Sequence, residues 1–310
     1  MKGSVNFVVL GDPSVIAGLG KKGSPGDIIL YDGSKGGIIR TFAVPDLFPE
    51  KIQPLIQAVA MAEYAILYVD KLDRYTGEQV IALDMLRMKE GVLCSSIEVD
   101  EAKLASMIKG TVVEGYVRAE PDGIGGALDS FEPAGREGPG RVDIDAAFDV
   151  RGTGTVVLGR VASGTVRRNQ ELHVLPQGGT ALVKSIQVHD EPVHEASSPA
   201  RVGLAVKGVR PAEMSRGDIL TEEELAPVTR LELDFEKSQF CKEELADGRG
   251  CLVGMGLQVR AARVISAEPM VLELAGPAVC RTGEAVVLLV PESRTSRIAG
   301  RGIISKAGGA

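Results

Sequence analysis

Residues 11–22 form the first stretch of the chain that could bind a phosphate group. They follow the apolar residues 5–10, which predict a buried strand, and a glycine-rich loop after such a strand can aim its backbone amides at a phosphate. The phosphate-binding pattern needs a glycine separated by four residues from a Gly-Lys pair, and a serine or threonine after that pair. Val15 and Lys22 stand at these two places, and Asp12 would add negative charge beside the phosphates. The sequence therefore predicts that the phosphate loop is missing.

Other combinations of residues that could support catalysis or bind a metal are weaker. His189 and His194 lie among carboxylates in the sequence His-Asp-Glu-Pro-Val-His-Glu, which could hold a metal, but a solvated acidic turn is the interpretation that we favour. The sequence contains neither a nucleophile elbow nor a dinucleotide-binding fingerprint. We therefore predict no catalytic residue and no metal site. The cysteines contain no Cys-x-x-Cys pair and are interpreted as reduced core thiols: Cys94, Cys241, Cys251 and Cys280.

Short strands joined by tight turns are predicted in the middle of the chain. Apolar residues alternate with small or polar ones through residues 148–165, and residues 166–176, 181–189 and 201–208 predict three more such strands. Regular glycines between β-rich runs favour a small closed barrel, because a barrel corner needs a bulge or a tight bend. Four glycines punctuate the first run: Gly152, Gly154, Gly159 and Gly164.

This predicted barrel resembles the second domain of translational GTPases. Within that group it is most similar to elongation factor Tu and to the selenocysteine-specific elongation factor. Residues 228–310 again predict short strands and look like the third domain of these factors, which is a second barrel. The resemblance of the middle region rests on six elements in the family's order: Gly152-x-Gly-x-Val-x-x-Gly159, Ser163-Gly164, Pro176, Ser185-Ile-Gln187, Arg201-Val-Gly203 and Arg216-Gly-Asp218.

Two further segments resemble a methanogen protein that is similar to elongation factors and is associated with pyrrolysine. These segments are Leu19-Gly-Lys-Lys-Gly23 and Glu78-x-x-Ile-Ala-Leu-Asp84. The resemblance implies an archaeal source.

The resemblance implies a GTPase domain at the start of the chain, yet two more of the family's motifs are missing there. A translational GTPase places Asp-x-x-Gly after its second strand to sense the γ-phosphate, whereas Asp46 is here the only nearby acid and no glycine stands three residues beyond it. The strand at residues 91–95 should end in Asn-Lys-x-Asp, which recognises guanine, but it ends in Ser95-Ser-Ile-Glu98. We therefore expect the family's cofactors, GTP and magnesium, to be lost. The degenerate region keeps only isolated matching residues: Gly11, Lys21, Ser24 and Asp46.

The predicted fold class is α/β plus all-β, with a degenerate G-domain-like doubly wound sheet followed by two small β-barrels. A helix with Thr76 as a candidate cap and a strand at residues 111–118 belong to the first domain. The boundaries follow from composition, because a Gly/Pro/Glu-rich linker precedes the first barrel. We predict four segments: an α/β domain over 1–132, a linker over 133–140, and barrels over 141–224 and 225–310.

The resemblance also implies candidate RNA-binding residues. In this family the second domain helps to form a pocket for the 3′ end of aminoacyl-tRNA, and Gln187, His189 and Arg201 fall in the corresponding motifs. Planar side chains for stacking and a cation for phosphate are what a single-stranded RNA end requires. Surface polar residues without a ligand are the alternative, and Asp190 opposes phosphate binding. On the last barrel, four arginines could form a basic edge for an RNA backbone: Arg281, Arg294, Arg297 and Arg301.

Composition narrows the class of protein. The net charge of −7 argues against indiscriminate binding of DNA or RNA, because neutralising phosphates needs clustered lysine and arginine. No apolar run reaches the length of a membrane span, and the N-terminus lacks the arrangement of a signal peptide. These features predict a soluble cytoplasmic protein.

Three functions are compatible with the sequence. The favoured hypothesis is a translation protein, similar to elongation factor Tu and the selenocysteine factor, that has lost GTP binding and binds tRNA, the ribosome or another translation factor. The second is a GTPase with unconventional nucleotide contacts from Lys21 or Lys22 and Ser24. The third is a scaffold for protein interactions that has no RNA ligand.

Overall fold

A seven-stranded sheet and four α-helices form the first part of the chain in the computed structural model, which describes residues 3–309. Residues 1, 2 and 310, at the outer ends of the first and last predicted domains, lie outside the described residues. The helices are α1 (Gln53–Ala60), α2 (Arg74–Met85), α3 (Glu101–Ile108) and α4 (Ile124–Ala127). The strands are β1 (Ser4–Leu10), β2 (Lys21–Lys22), β3 (Ile29–Lys35), β4 (Ile38–Val44), β5 (Tyr64–Val69), β6 (Gly91–Ser95) and β7 (Val117–Arg118).

The sheet has the strand order β2-β3-β4-β1-β5-β6-β7 and is parallel from β4 through β7. All seven residues of β1 are buried, as expected for a central parallel strand that is covered on both faces. Helices α1, α2 and α3 cover one face with Leu55, Leu83 and Leu104. The other face packs on short helical turns through Ile16 and Ile124. This doubly wound arrangement is the predicted one.

Two local predictions for the first domain are wrong. Thr76 does not cap α2, because the carboxylate of Asp73 accepts the backbone N–H groups of Tyr75 and Thr76, at 2.8 and 2.9 Å. The strand predicted at residues 111–118 is confined to Val117–Arg118, and a 3-10 helix occupies Val112–Gly115. Val113 is buried in the core, and its 3-10 helix packs against α3. Its apolar side chain is therefore buried without a strand, which is why the apolar sequence was misleading.

The second part of the chain forms a closed six-stranded barrel with short additional strands. Its ring runs β11-β16-β8-β9-β15-β12 and closes where β12 pairs with β11. Val157, Ile186 and Leu204 are among the residues that fill its core. The strands are β8 (Arg141–Val150), β9 (Gly154–Ser163), β10 (Thr165–Arg167), β11 (Glu171–Leu175), β12 (Thr180–Val188), β13 (Glu191–Val193), β14 (Glu195–Ser197), β15 (Arg201–Lys207) and β16 (Ile219–Thr221).

The third part forms a second closed barrel in the strand order β17-β20-β19-β18-β21-β22. Its strands are β17 (Val228–Lys237), β18 (Gly250–Met255), β19 (Gln258–Ser266), β20 (Met270–Ala278), β21 (Ala285–Leu289) and β22 (Ile298–Gly308). Both predicted barrels are therefore confirmed, whereas the domain boundaries assigned from composition stay predictions. None of the described helices has the length and apolar character needed to cross a membrane.

Replacing Gly11 should destabilise the first domain far more than replacing Gly18. Both glycines have a positive φ, at 90° and 78°, but a Cβ at Gly11 would overlap the carbonyl oxygen of Tyr68, whereas a Cβ at Gly18 would meet open space. We expect Gly18→Ala to lower the free energy of unfolding by about 1 to 2 kcal/mol, and Gly11→Ala by about 3 kcal/mol or more. Urea unfolding measures both, and equal losses would contradict the packing described for Gly11.

Candidate RNA-binding face

The outer surface of the second barrel aligns Gln187 with a glycine on the neighbouring strand. Strand register aligns Gln187 on β12 with Gly203 on β15, and Gly203 in turn with Leu158 on β9. Gln187 is exposed and Leu158 is half-buried, while the intervening Gly203 has no side chain. Neighbouring residues in each strand, such as Ile186 and Val157, point into the core instead. The missing side chain leaves a gap over Gly203, called the depression below, and Leu158 Cδ2 lies 3.5 Å from the place that a Cβ would take there.

An exposed apolar patch borders this depression, and the sequence interpretation missed it. The next row of the same surface aligns Ala205 on β15 with Val156 on β9, and Val156 with Phe148 on β8. Phe148 is 41% exposed and Val150, near the hairpin tip, is 38% exposed. The sequence interpretation took Val156 and Leu158 as apolar members of the alternating pattern, but Val157 fills the core while Val156 and Leu158 lie on the outer face. Only the pairing of adjacent strands brings these outer apolar residues together.

His189 lies at the edge of the same face, in the turn between β12 and β13. His189 and Asp190 have φ values of 51° and 63°, which is the geometry of a two-residue type I′ hairpin turn. Both residues are exposed. The His189 ring is thus available beyond the end of β12, two residues from Gln187, and the Asp190 carboxylate accompanies it. The described residues contain no group of three or more potential metal ligands from His, Cys, Asp and Glu.

The structure separates Arg201 from the open part of this face. Register aligns Arg201 with Arg160, in the row that faces the first domain, and the Arg201 side chain is only 19% exposed. Its guanidinium lies 3.8 Å from the carboxylate of Asp145 and lines a small cavity together with Asn6 and Thr41 of the first domain. The sequence assigned Arg201 to the same site as Gln187. The domain contact instead turns Arg201 into an interface residue.

A buried ion pair next to Arg201 fixes the second barrel against the first domain. Arg160 Nη1 donates to Glu63 Oε1 at 2.7 Å, and both side chains are less than one tenth exposed. Asn6 Nδ2 donates to Glu63 Oε2 at 2.8 Å and to the carbonyl of Pro199 at 2.9 Å. Burial raises the pKa of the Glu63 carboxyl, while Arg160 and Asn6 act in the opposite direction. The pair therefore sets which part of the barrel surface stays open.

Of the basic edge predicted on the last barrel, the structure contradicts Arg297, whereas Arg281, Arg294 and Arg301 stay predictions. Arg297 is 7% exposed and its guanidinium is bound by Glu78 of the first domain, so it is not available to RNA. Arg281 is half-buried and forms an ion pair with Glu223. Arg301 is half-buried, with Glu236 and Val287 as its neighbours in strand register. Arg294 alone of the four is exposed. Arg297 and Arg281 lie in contacts between domains, and the sequence alone does not distinguish such arginines from arginines on the surface.

The residues after β1 form a turn in which a side chain of the turn accepts a hydrogen bond from its own backbone. A 3-10 helix at Pro13–Ile16 follows Gly11, and Asp12 Oδ1 accepts the N–H of Ser14 at 2.8 Å. Lys21 and Lys22 form the exposed strand β2, which pairs with β3. Ser24 is exposed in the following loop, and Asp46 is exposed in the turn after β4. The chain reaches its first α-helix only at α1, after β4.

The four cysteines are buried and free, as the sequence predicted. Burial raises the pKa of Cys94, Cys251 and Cys280 to about 11. A thiol with a raised pKa is a poor nucleophile at neutral pH, because the thiolate is the reactive form. These cysteines therefore belong to the core.

Comparison with known proteins identifies the family. The family model described as "Elongation factor Tu domain 2" matches residues 154–221, within the second barrel. The uncharacterized protein MJ0325 of Methanocaldococcus jannaschii is 35% identical over 243 residues, which cover 77% of this chain and 79% of that protein. The selenocysteine-specific elongation factor of the same organism is 28% identical over 260 residues, which cover 72% of this chain. The chain belongs to the translation elongation factor-like GTPase superfamily.

Solved structures of this superfamily show the same fold. Elongation factor SelB from Methanococcus maripaludis, crystallised with a GTP analogue, superposes with a TM-score of 0.81 at 22% identity over 99% of this chain and 79% of that one. A bacterial selenocysteine-specific elongation factor gives a TM-score of 0.80 at 20% identity and covers 98% of this chain. The two barrels therefore correspond to domains II and III of translation factors. The chain spans only about half of the selenocysteine factor that it matches in sequence, 55% of its length.

Removing Arg160 should destabilise the interface between the first domain and the second barrel. Arg160→Met leaves Glu63 buried without its cation, and breaking a buried pair from one side costs about 3 to 5 kcal/mol. The double variant Glu63→Gln/Arg160→Met should recover much of this loss, because it leaves no unpaired charge. Urea unfolding tests both, and a double variant as unstable as the single one would contradict the assignment.

The loss of unfolding free energy caused by Arg160→Met should also depend on pH. Without Arg160 the folded-state pKa of Glu63 lies further above the ordinary value of 4.5, so the folded chain holds a proton that the unfolded chain releases. Stability then falls as pH rises from 4.5 through the raised pKa. The deficit relative to the original chain should therefore be larger at neutral pH than at pH 4.5.

Proposed function

We propose that this chain is an elongation-factor-like translation protein that has lost GTP binding and binds the 3′ end of tRNA, or another exposed RNA end of the translation machinery. The observation that carries the proposal is the depression over Gly203, flanked by Gln187 and Leu158 and bordered by Phe148. RNA and the ribosome are thus its proposed partners, other translation factors are alternatives, and its proposed location is the cytoplasm.

The composition of the depression suits an unstacked base. A base has two apolar faces and polar edges, and proteins recognise it by stacking on planar or aliphatic side chains and by hydrogen bonds to its edges. Gly203 lets the base approach the strand, Leu158 offers an aliphatic surface, and the Gln187 amide offers both a donor and an acceptor. The exposed Phe148 ring extends this surface and can hold a second planar or apolar group.

The charge of the face predicts how such binding would behave. Arg201 is withdrawn into the domain interface, and Asp190 adds negative charge beside His189. Few phosphates would therefore be neutralised at this face, so the affinity would depend on stacking more than on charge, with a weak dependence on salt. The same feature favours a specific RNA end over RNA in general.

The turn after β1 supports the loss of GTP binding. Binding of a nucleotide phosphate usually relies on free backbone amides at the start of a helix. Here the N–H of Ser14 is bound by the Asp12 carboxylate, which also places a negative charge at the end of β1. Asp46 and the loop after β6 lack the partner residues that the family's other two motifs use.

Titration with nucleotide tests the loss of GTP binding. We expect no binding of fluorescent GTP or GDP analogues, with magnesium present, at concentrations up to about 10 μM, which corresponds to about 7 kcal/mol of binding free energy. A dissociation constant below that limit would contradict the proposal. If the chain also hydrolysed GTP and Lys21→Ala abolished that turnover, the unconventional GTPase would be supported.

Filling the depression over Gly203 tests RNA binding. Gly203→Val suits the extended strand, since the new Cβ would lie 3.5 Å from Leu158, an ordinary contact. It should block stacking, which contributes about 1 to 3 kcal/mol per base, and so weaken binding of aminoacylated tRNA by about 5- to 150-fold. The measurement is fluorescence anisotropy with labelled tRNA, aminoacylated and deacylated.

Gly276→Val is the matched control, because Gly276 lies on β20 of the third barrel and its added Cβ would meet open space. Equal affinities for the two variants, both weaker than that of the original chain, would contradict a site at Gly203. An original chain that binds neither tRNA but retains protein partners in a pull-down would favour the scaffold.

A further inference from the structure

A buried ion pair joins the first domain to the third barrel. Glu78 on α2 is 1% exposed, and Arg297, just before β22, is 7% exposed. The Glu78 carboxylate accepts the Arg297 backbone N–H at 3.0 Å and the guanidinium in a bidentate manner, with Nη2 at 2.6 Å from Oε2 and Nε at 3.1 Å from Oε1. A planar guanidinium paired with a carboxylate in this way fixes both the distance between the two groups and their relative orientation.

The same guanidinium also holds the loop after β4, residues 45–52. Arg297 Nη1 donates to the carbonyl oxygen of Pro49 at 2.7 Å, and the guanidinium lies 5.5 Å from the centre of the Phe48 ring. Phe48 packs edge-on against Tyr75 at the start of α2, with ring centres 6.1 Å apart. Arg297 therefore contacts the loop and α2 at once, from a third domain.

Further polar and apolar contacts join the same two domains. Arg74 Nη2 donates to the carbonyl of Ser293 at 2.8 Å, and Gln57 Nε2 on α1 donates to the carbonyl of Leu257 at 2.8 Å. The core of the first domain continues into the third barrel without a break. The barrel residues in that shared core are Leu257, Val287, Leu289 and Ile298.

We propose that Arg297 is a clamp that keeps loop 45–52, α2 and the third barrel in one arrangement whether or not a ligand is bound. Opening this contact would remove the closer of two cations from the buried Glu78 carboxylate and leave it only Arg74 Nη2, 3.5 Å from Oε1. It would also expose the shared apolar core to water, and both changes oppose opening. A ligand could move such an equilibrium only through a large difference in affinity between the two arrangements. The proposal does not depend on RNA binding.

Hydrogen–deuterium exchange of the full chain tests the clamp. In Arg297→Ala we expect amides in residues 45–52 and 293–298 to exchange about tenfold faster or more, because these segments lose their shared partner. Amides of β9 and β15 in the second barrel should change less than twofold. Arg294→Ala is the control, since Arg294 is exposed three residues away and should leave both segments unchanged.

Two milder variants keep the test decisive if Arg297→Ala does not fold. Arg297→Lys keeps the charge but loses the bidentate geometry, and Glu78→Gln keeps an acceptor without the charge, so both should accelerate exchange in the same two segments. Acceleration that is uniform along the chain, or absent from residues 45–52, would overturn the proposal. So would faster exchange in residues 45–52 of the original chain on adding tRNA or GTP, whereas unchanged exchange supports it.

Discussion

The apolar core that the first domain shares with the third barrel is the constraint on which the arrangement of the domains rests. Leu257, Val287 and Ile298 of the barrel are buried together with the residues under α1 and α2. Burial of apolar surface has no direction of its own. The direction comes from the polar contacts around it, chiefly Glu78 with Arg297, which admit one relative orientation.

The second barrel is held against both of these units by further ion pairs that are buried or partly buried. Glu63 and Arg160 fix it to the first domain, and Arg141 and Asp218 of this barrel pair with Glu284 and Arg260 of the third. Asp218 is fully buried, and desolvation raises the pKa of its carboxyl despite the nearby guanidinium of Arg260. Burying such a pair costs desolvation free energy. Removing one partner costs more, because the other charge is then left buried without a counter-charge. These ion pairs therefore determine how the domains are placed relative to one another more than they stabilise the fold.

The contact with the first domain divides the outer surface of the second barrel into two parts. The row with Arg160 and Arg201 faces the first domain, whereas the row with Gln187, Gly203 and Leu158 remains open. The candidate RNA-binding face is therefore smaller and less basic than the resemblance implied. Several arginines are thus used in contacts between domains, while the apolar side chains of Phe148 and Val150 remain on the outside.

The sequence by itself determined the class of fold, the two barrels and the family, because these depend on local patterns. The apolar residues Val156, Leu158 and Val161 and the turn glycines after β8 are visible within a few residues. The burial of the cysteines was equally predictable from the absence of paired motifs.

Only the tertiary structure decided which polar residues are free. Arg297 meets Glu78 across 219 positions of sequence, and Arg160 meets Glu63 across 97, so neither pairing leaves a local signal. Asp73 replaced Thr76 as the cap of α2 because cap geometry is settled by the backbone at the helix start. Phe148 and Leu158 share one surface only because strand pairing aligns Phe148 with Val156 and Leu158 with Gly203, and that alignment is a property of the closed barrel.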